Sequence, residues 1–427
     1  MNAVNPISEY ASKAYQEMSE HLTNGILRFW MEKGIDWEFG GYLTCFDGNG
    51  KPWEMTDKFI VTQTRMIWGL SLLNEQYPEY PRIRLALQQG VEFFVKHFWD
   101  EKSGGWVWSV RRNGEHIDNG KVVYGQSFAI YALAQYGLST GDKIGQEYSE
   151  KTFDLLQKYC ADTCRGGYYE NLEPDWSISA GGFAAGDRKS LDIHMHLMEA
   201  FTLLYQLTGK EIHRRKLMEV MELILDRMID HEHNCGMNQF DLAFQPIPAI
   251  NIRRTWNAER PVGESIKSPV DSTSYGHNME LLWLLNWAGE VLGLPENYFN
   301  GRTKGLADHA LRFGVDDEYG GIYRDGPHEG EPIIKDKEWW QNCESLVGFL
   351  DAYLHIKDPA YFEAFRLIWE FDKEYFIKHN HGEWMQLVKR NGEPICSDLG
   401  NPWKAIYHTG RAMIESMSRL RRIIMPD

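Results

Sequence analysis

The stretch Ser274-Tyr275-Gly276-His277-Asn278-Met279-Glu280-Leu281-Leu282-Trp283-Leu284-Leu285, continuing to Val291, decides the fold. Polar and aromatic residues open it, and a run apolar on nearly every side follows, the pattern of a helix buried in an interior. Five other segments match it: 61–73, 123–136, 191–207, 339–354 and 405–420. More amphipathic stretches stand between them, for example 81–98, 146–160, 212–230 and 359–378. A short glycine mark recurs as Gly40-Gly41-Tyr42, Gly104-Gly105-Trp106, Gly166-Gly167-Tyr168, Gly236-Met237, Gly320-Gly321-Ile322 and Gly382-Glu383-Trp384. Several marks run on into turn chemistry, such as Arg112-Asn113-Gly114 and Arg390-Asn391-Gly392, as hairpins do. Six repeats of outer helix, hairpin and inner helix predict an all-α (α/α)6 barrel with short β-hairpins at one end. Closure of the ring is required because one helix pair cannot bury its apolar face alone. Residues 1–427 are therefore expected to form a single domain.

Composition narrows the function. The chain has 427 residues with 61 acidic and 45 basic side chains, a net charge of −16, which argues against nucleic acid or an anionic membrane as partner. Sixteen Trp, 21 Tyr and 20 Phe are more aromatics than usual, and flat rings serve both a wide helical core and a sugar-binding cleft. Trp68 and Trp283 fall inside apolar runs and are expected in the core. Residues 1–13 hold no basic segment followed by an apolar core, and residues 281–294 are broken by Asn286 and Glu290, so neither signal peptide nor membrane span is expected. A cytoplasmic location follows as an expectation. Cys45, Cys160, Cys164, Cys235, Cys343 and Cys396 are scattered without a C-x-x-C pair and read as reduced thiols.

The fourth interval between marks is longer than its neighbours. Its surplus, about 241–271, carries Arg253, Arg254, Trp256 and Arg260 and reads as a long loop covering the cleft.

In a toroid the inner-helix starts converge on one end of the cavity. Those starts carry Arg65, Gln126, Asp192 with His194 and His196, His277 with Glu280, Gln341 with Glu344, and His408 with Arg411. Histidines thus recur at matching places in three units. Asp192 and His196 share a helix face at i and i+4, as do His277 and Glu280 at i and i+3, and a carboxylate beside an imidazole fixes its tautomer and raises its basicity. The pairs His194-x-His196, His231-x-His233 and His379-x-His381 resemble metal ligands. On a helix, however, i and i+2 diverge, and the other two pairs lie near hairpins beyond their outer helices, so no metal is expected. Neither a phosphate-cradling nor a dinucleotide glycine motif occurs. Proton abstraction next to a carbonyl fits the set better. Imidazole, with a pKa near ~6.5, takes and returns protons at neutral pH. Two imidazoles facing opposite sides of an enediolate would invert the carbon, and Arg65 would hold the oxygens.

The segments Leu191-Asp192-Ile193-His194-Met195-His196-Leu197-Met198-Glu199-Ala200, Ser274 to Glu280, Trp339-Trp340-Gln341-Asn342-Cys343-Glu344 and Trp403-Lys404-Ala405-Ile406-Tyr407-His408-Thr409-Gly410-Arg411 together resemble the N-acylglucosamine 2-epimerase superfamily. The likeness is to its cellobiose 2-epimerase and mannose 2-epimerase branch and covers nearly the whole chain. It implies an (α/α)6 barrel, no cofactor, and deprotonation and reprotonation at C2 of a reducing sugar. By position, the resemblance implies that His277 and His408 exchange the C2 proton and that His196 assists ring opening. It further implies that Glu280 orients His277, that Arg65 binds the enediolate, and that Trp340 and Trp403 stack on or border the sugar. Tyr124, Gln126, Asp192, Glu344 and Trp256 complete the expected sugar contacts, although Asp192 departs from the Asn expected in cellobiose epimerases. The expected partner is a small-molecule sugar, without nucleic acid or membrane, and the expected assembly is a monomer or homodimer. The long loop favours D-mannose ⇌ D-glucose over cellobiose ⇌ 4-O-glucosyl-mannose. An aldose–ketose isomerase and an inverting glycosidase built on Asp192, Glu280 and Glu344 are the remaining alternatives, with a non-catalytic sugar sensor behind them.

Overall fold

The structure is a computed structural model and describes residues 6–250, 252–254, 270–332 and 335–425. Its helices alternate between two layers, α1 (Pro6–His21) outside and α2 (Ile60–Gln76) inside. The alternation continues through α3 (Pro81–Phe98), α4 (Val123–Thr140), α5 (Lys143–Tyr159) and α6 (Leu191–Thr208). The second half repeats it with α7 (Glu211–Arg227), α8 (Tyr275–Val291), α9 (Asn300–His309), α10 (Trp339–Ile356), α11 (Pro359–Phe371) and α12 (Ile406–Ile424). Each even-numbered helix packs on the next, and α12 returns to α2, which closes the (α/α)6 barrel. Every inner helix begins within one residue of the start expected from its apolar run. Local chemistry sets the ends: Ser190 and Ser274 cap α6 and α8 by accepting the Ile193 and His277 backbone N–H. Gly141 and Gly209 stop α4 and α6 in the left-handed region. No described helix is long and apolar enough to cross a membrane.

At the hairpin end, the strand before each inner helix pairs antiparallel with the strand that follows the next outer helix. Lys58–Phe59 pairs with Ser109–Val110, Lys121–Val122 with Asn171–Leu172, and Arg188–Ser190 with Gln239–Asp241. Ser272–Ser274 pairs with Asp325–Pro327 and Lys337–Glu338 with Leu387–Val388, while a single bridge from Phe46 to Gly400 joins the first unit to the last. Four units also share a buried ion pair under the hairpin, which pairs a lysine ammonium that could not otherwise leave water. The pairs are Lys58 with Asp36 at 3.0 Å, Lys121 with Asp100 at 2.8 Å, Lys189 with Asp162 at 2.9 Å and Lys337 with Asp316 at 2.9 Å.

One glycine mark needs correction. In the first unit Ile35 bridges Tyr42, with Gly40 and Gly41 between them at φ +87° and +70°, a turn that residues with a Cβ avoid. In the fourth unit Ile229 pairs with Gly236, so Gly236 holds the place of Tyr42 and Asn234, at φ +57°, holds the place of Gly40.

Candidate active site

The fold gives each inner-helix position a job. At the fourth residue, Gln63, Gln126, His194, Asn278 and Asn342 bind the hairpin backbone at the N–H of Tyr42, Trp106, Tyr168, Gly236 and Ile322. Gln126 therefore does not join the sugar contacts expected of it: its carboxamide also donates to Trp106 O at 2.8 Å and is fully used by structure. His194 is spent in the same way, with its Nδ1 on Ser190 O at 2.9 Å. The sixth residues, Arg65, Phe128, His196, Glu280, Glu344 and Arg411, make a buried ring across the barrel. His277 and His408 occupy the third place of α8 and α12, one turn nearer the hairpin end. The three candidate histidines are thus not at one equivalent position, as the sequence suggested, but at two levels of the barrel interior.

One wall is built by α6 and α8. Asp192 Oδ1 lies 3.3 Å from His196 Nε2 and 3.4 Å from His277 Nε2, so one carboxylate serves two imidazoles. His196 Nδ1 meets Glu199 Oε2 at 2.8 Å. Burial opposes the charged form of His196, yet hydrogen bonds to Asp192 and Glu199 prevail and raise it to about 10. For His277 burial again opposes charge, and Asp192 again raises the imidazole above its ordinary value. Both rings are therefore held toward the imidazolium.

The facing wall comes from α10 and α12. His408 Nδ1 lies 2.7 Å from Glu344 Oε1, which also meets Arg411 at 2.6 Å. Burial, then the guanidinium groups of Arg65 and Arg411, push His408 well below the ordinary imidazole range. Burial raises the Glu344 carboxyl, while Arg411 works to keep it ionised. A neutral His408 donating from Nδ1 to that carboxylate leaves Nε2 with a free lone pair.

Arg411 is the hub beneath both walls. It is fully buried and pairs with Glu199 at 2.5 Å, with Glu344 and with Glu280. Glu280, expected to orient His277, makes its ion pair with Arg411, and the carboxylate that stands beside His277 is that of Asp192. Glu280, Glu344 and His408 lie close enough to suggest a metal, but the guanidinium already takes the two carboxylates. Glu199, which sequence reasoning did not single out, ties His196 to Arg411. Its signal was present, an acid inside the apolar run Leu197-Met198-Glu199-Ala200 at i+3 from His196.

The remaining expected residues fall around this centre. Arg65 donates to Tyr124 Oη at 2.9 Å and to the Trp403 carbonyl, and its guanidinium lies over Phe128 at 4.8 Å and Tyr407 at 4.9 Å. Tyr124 Oη is 3.4 Å from His196 Nε2. Trp340 lies 4.6 Å from the His277 ring and 5.8 Å from that of His408, and so borders both, while Trp403 packs on Tyr124 at 4.6 Å. Trp68 and Trp283 are core, although Trp283 Nε1 also donates to Glu344 at 3.2 Å. Trp256 and Arg260 lie outside the described residues. The described part of the long loop reaches other units: Arg254 makes two bonds to Asp118 at 2.7 and 2.8 Å, and Arg253 pairs with Glu173.

Residues 41–412 match the model of the family described as N-acylglucosamine 2-epimerase (GlcNAc 2-epimerase). A cellobiose 2-epimerase of Bacteroides fragilis is 28% identical over 94% of this chain and 97% of its own length. A D-mannose isomerase of Marinomonas mediterranea is 24% identical over 96% of this chain and 98% of its own. The solved structure of cellobiose 2-epimerase from Spirochaeta thermophila DSM 6192 superposes with a TM-score of 0.85 at 26% identity, covering 100% of both chains.

Proposed function

The chain belongs to the N-acylglucosamine 2-epimerase family and is an isomerase, and from that premise we propose that it epimerises C2 of a free reducing aldose, D-mannose ⇌ D-glucose, by two-base proton exchange. The observation that carries this reading is the pair of imidazoles that both border Trp340 in opposite electrostatic company, His277 beside the Asp192 carboxylate and pushed toward the imidazolium, His408 near Arg65 and Arg411 and pushed toward neutral. The neutral His408 takes the C2 proton from one face of the open-chain sugar. The C–H electron pair moves into the C1–C2 bond and charge gathers on the oxygens. The guanidinium of Arg65 and the imidazolium of His196 stabilise that enediolate, and they need little reorganisation because both are already fixed by neighbours. His277 then delivers its proton to the other face, which inverts C2; the reverse reaction exchanges the two roles. Trp340 and Trp403 supply aromatic faces for the sugar, and Asp192, besides charging His277, remains available to a hydroxyl.

The monosaccharide preference rests on the long loop, whose Arg253 and Arg254 engage hairpins of the third and second units and so favour a narrow mouth. A disaccharide substrate, cellobiose, is the second reading, favoured by the 28% identity to a cellobiose 2-epimerase against 24% to a D-mannose isomerase. Product analysis with mannose and with cellobiose separates them. The proposal expects glucose from mannose and a lower kcat/KM on cellobiose; fructose as the sole product, or hydrolysis of cellobiose, overturns it.

A further inference from the structure

The hairpin aspartate of the first unit sits between two cations: Asp36 Oδ2 accepts from Lys58 Nζ at 3.0 Å and from Arg112 Nε at 2.9 Å. The fifth unit repeats this, with Asp316 Oδ2 accepting from Lys337 Nζ at 2.9 Å and Arg390 Nε at 2.8 Å. The fourth unit keeps the aspartate and its turn. Asp230 Oδ1 accepts the N–H of Glu232 at 2.9 Å and His233 at 3.3 Å, as Asp36 Oδ1 accepts those of Glu38 and Phe39.

Both cations are replaced there. Thr273 pairs with Gly326 as Lys58 pairs with Val110 and Lys337 with Val388, so a threonine stands in the lysine position. His328, two residues beyond Gly326, stands where Arg112 and Arg390 stand. A third change accompanies these two: Cys235 occupies the turn position of Gly41 and Gly321. A Cβ at Gly321 would lie 3.1 Å from Lys337 Cδ, so in the fourth unit the Cys235 side chain enters space that a lysine stem fills elsewhere. Donor atoms of Asp230, Cys235 and His328 all lie within 4.8 Å of one another. His233 Nδ1 and His328 Nδ1 are each 2.8 Å from Asp230 Oδ2.

We propose that this hairpin binds one divalent transition-metal ion of zinc type through Asp230, Cys235 and His328, with His233, held on Asp230 at 2.8 Å, swinging in as the fourth donor, the metal standing in for the lysine and arginine of the other units. One thiolate, one imidazole and one carboxylate suit zinc in donor softness, and completion of the set by His233 leaves no open position, as in a structural rather than a catalytic site. Zinc–ligand bonds of about 2.0–2.3 Å would draw the donors together as the metal enters. Binding displaces the thiol proton of Cys235, so affinity rises with pH. His309 Nε2 already meets the His328 carbonyl at 2.8 Å and steadies that ligand. The site clamps the hairpin to the end of strand Asp325–Pro327, which pairs with the strand that leads into α8, and thus lies behind the wall that carries His277. The His231-x-His233 motif, set aside as a chelate on sequence grounds, contributes only its second member.

Titration of chelator-treated protein with Co2+ and then Zn2+ tests the proposal. The expected result is one equivalent bound per chain, with tetrahedral cobalt bands and thiolate-to-cobalt charge transfer that zinc displaces. Cys235→Ser should lose the charge-transfer band. The double variant Thr273→Lys with Cys235→Gly, which restores the pattern of the first unit, should keep the circular dichroism and melting of the metal-free parent and bind at least tenfold more weakly. Absence of stoichiometric binding to the parent overturns the proposal and leaves the two imidazoles as hydrogen-bond partners of Asp230. Charge transfer that survives in Cys235→Ser, or binding by the double variant as tight as the parent's, overturns it equally.

Discussion

His277 and His408 both border Trp340, in opposite electrostatic company. His277 stands 3.4 Å from a carboxylate that it shares with His196, whereas His408 has guanidinium groups on two sides and a carboxylate, Glu344, that Arg411 partly neutralises. In the proposed mechanism identical side chains thus become an acid on one wall and a base on the other. The difference teaches that the barrel supplies asymmetry by distributing charge around its ring of sixth residues, because the helices themselves are near repeats.

The largest effect expected from breaking that arrangement is structural. Arg411→Met leaves Glu199, Glu280 and Glu344 buried without their shared cation, and stability should fall by about 3–5 kcal/mol, read from denaturant midpoints. Next come the bases themselves. His277→Asn and His408→Asn should each lower kcat for epimerisation by at least ~10²-fold, the scale of a lost general acid or base. Each variant should still exchange the C2 hydrogen of one epimer with solvent, and the two should differ in which epimer that is. Loss of exchange with both epimers in both variants would count against a divided pair.

A smaller change sharpens the electrostatics. With the base neutral and the acid charged, kcat/KM follows a bell-shaped pH profile, its acid limb set by His408 below the ordinary imidazole value and its alkaline limb by His277 above it. Asp192→Asn removes the anion that raises His277, so the alkaline limb should move to lower pH while the acid limb moves less. The smallest effect concerns the mouth of the cavity. Arg254→Ala frees the loop from Asp118 at a cost of about 0.2–1 kcal/mol and should raise the ratio of cellobiose to mannose turnover by a few fold; an unchanged ratio counts against the loop as a size filter.

Much of this was legible in the sequence because two signals are local. An apolar run after a polar start fixed each inner helix to within a residue, and a glycine pair marked most turns. The outer helix α9 gave weaker periodicity, and Asn234 hid the fourth turn because asparagine also tolerates positive φ. Among the site residues, Asp192 with His196 could be paired from i, i+4 spacing. The bond between Glu280 and Arg411 could not, since it crosses the barrel and spacing along one helix says nothing of that. Gln126 shows the same limit: a polar residue at an inner-helix start serves either the cavity or the hairpin, and only the register shared with Gln63, His194, Asn278 and Asn342 tells which.

Two-base proton transfer at C2 is tested most directly by incubating the chain with mannose in heavy water and reading the sugars by NMR. The account predicts glucose carrying deuterium at C2, with less label in recovered mannose at early times because the returning proton comes from a second, exchanged imidazole. Glucose formed with no deuterium, or label confined to C1 of fructose, would contradict it.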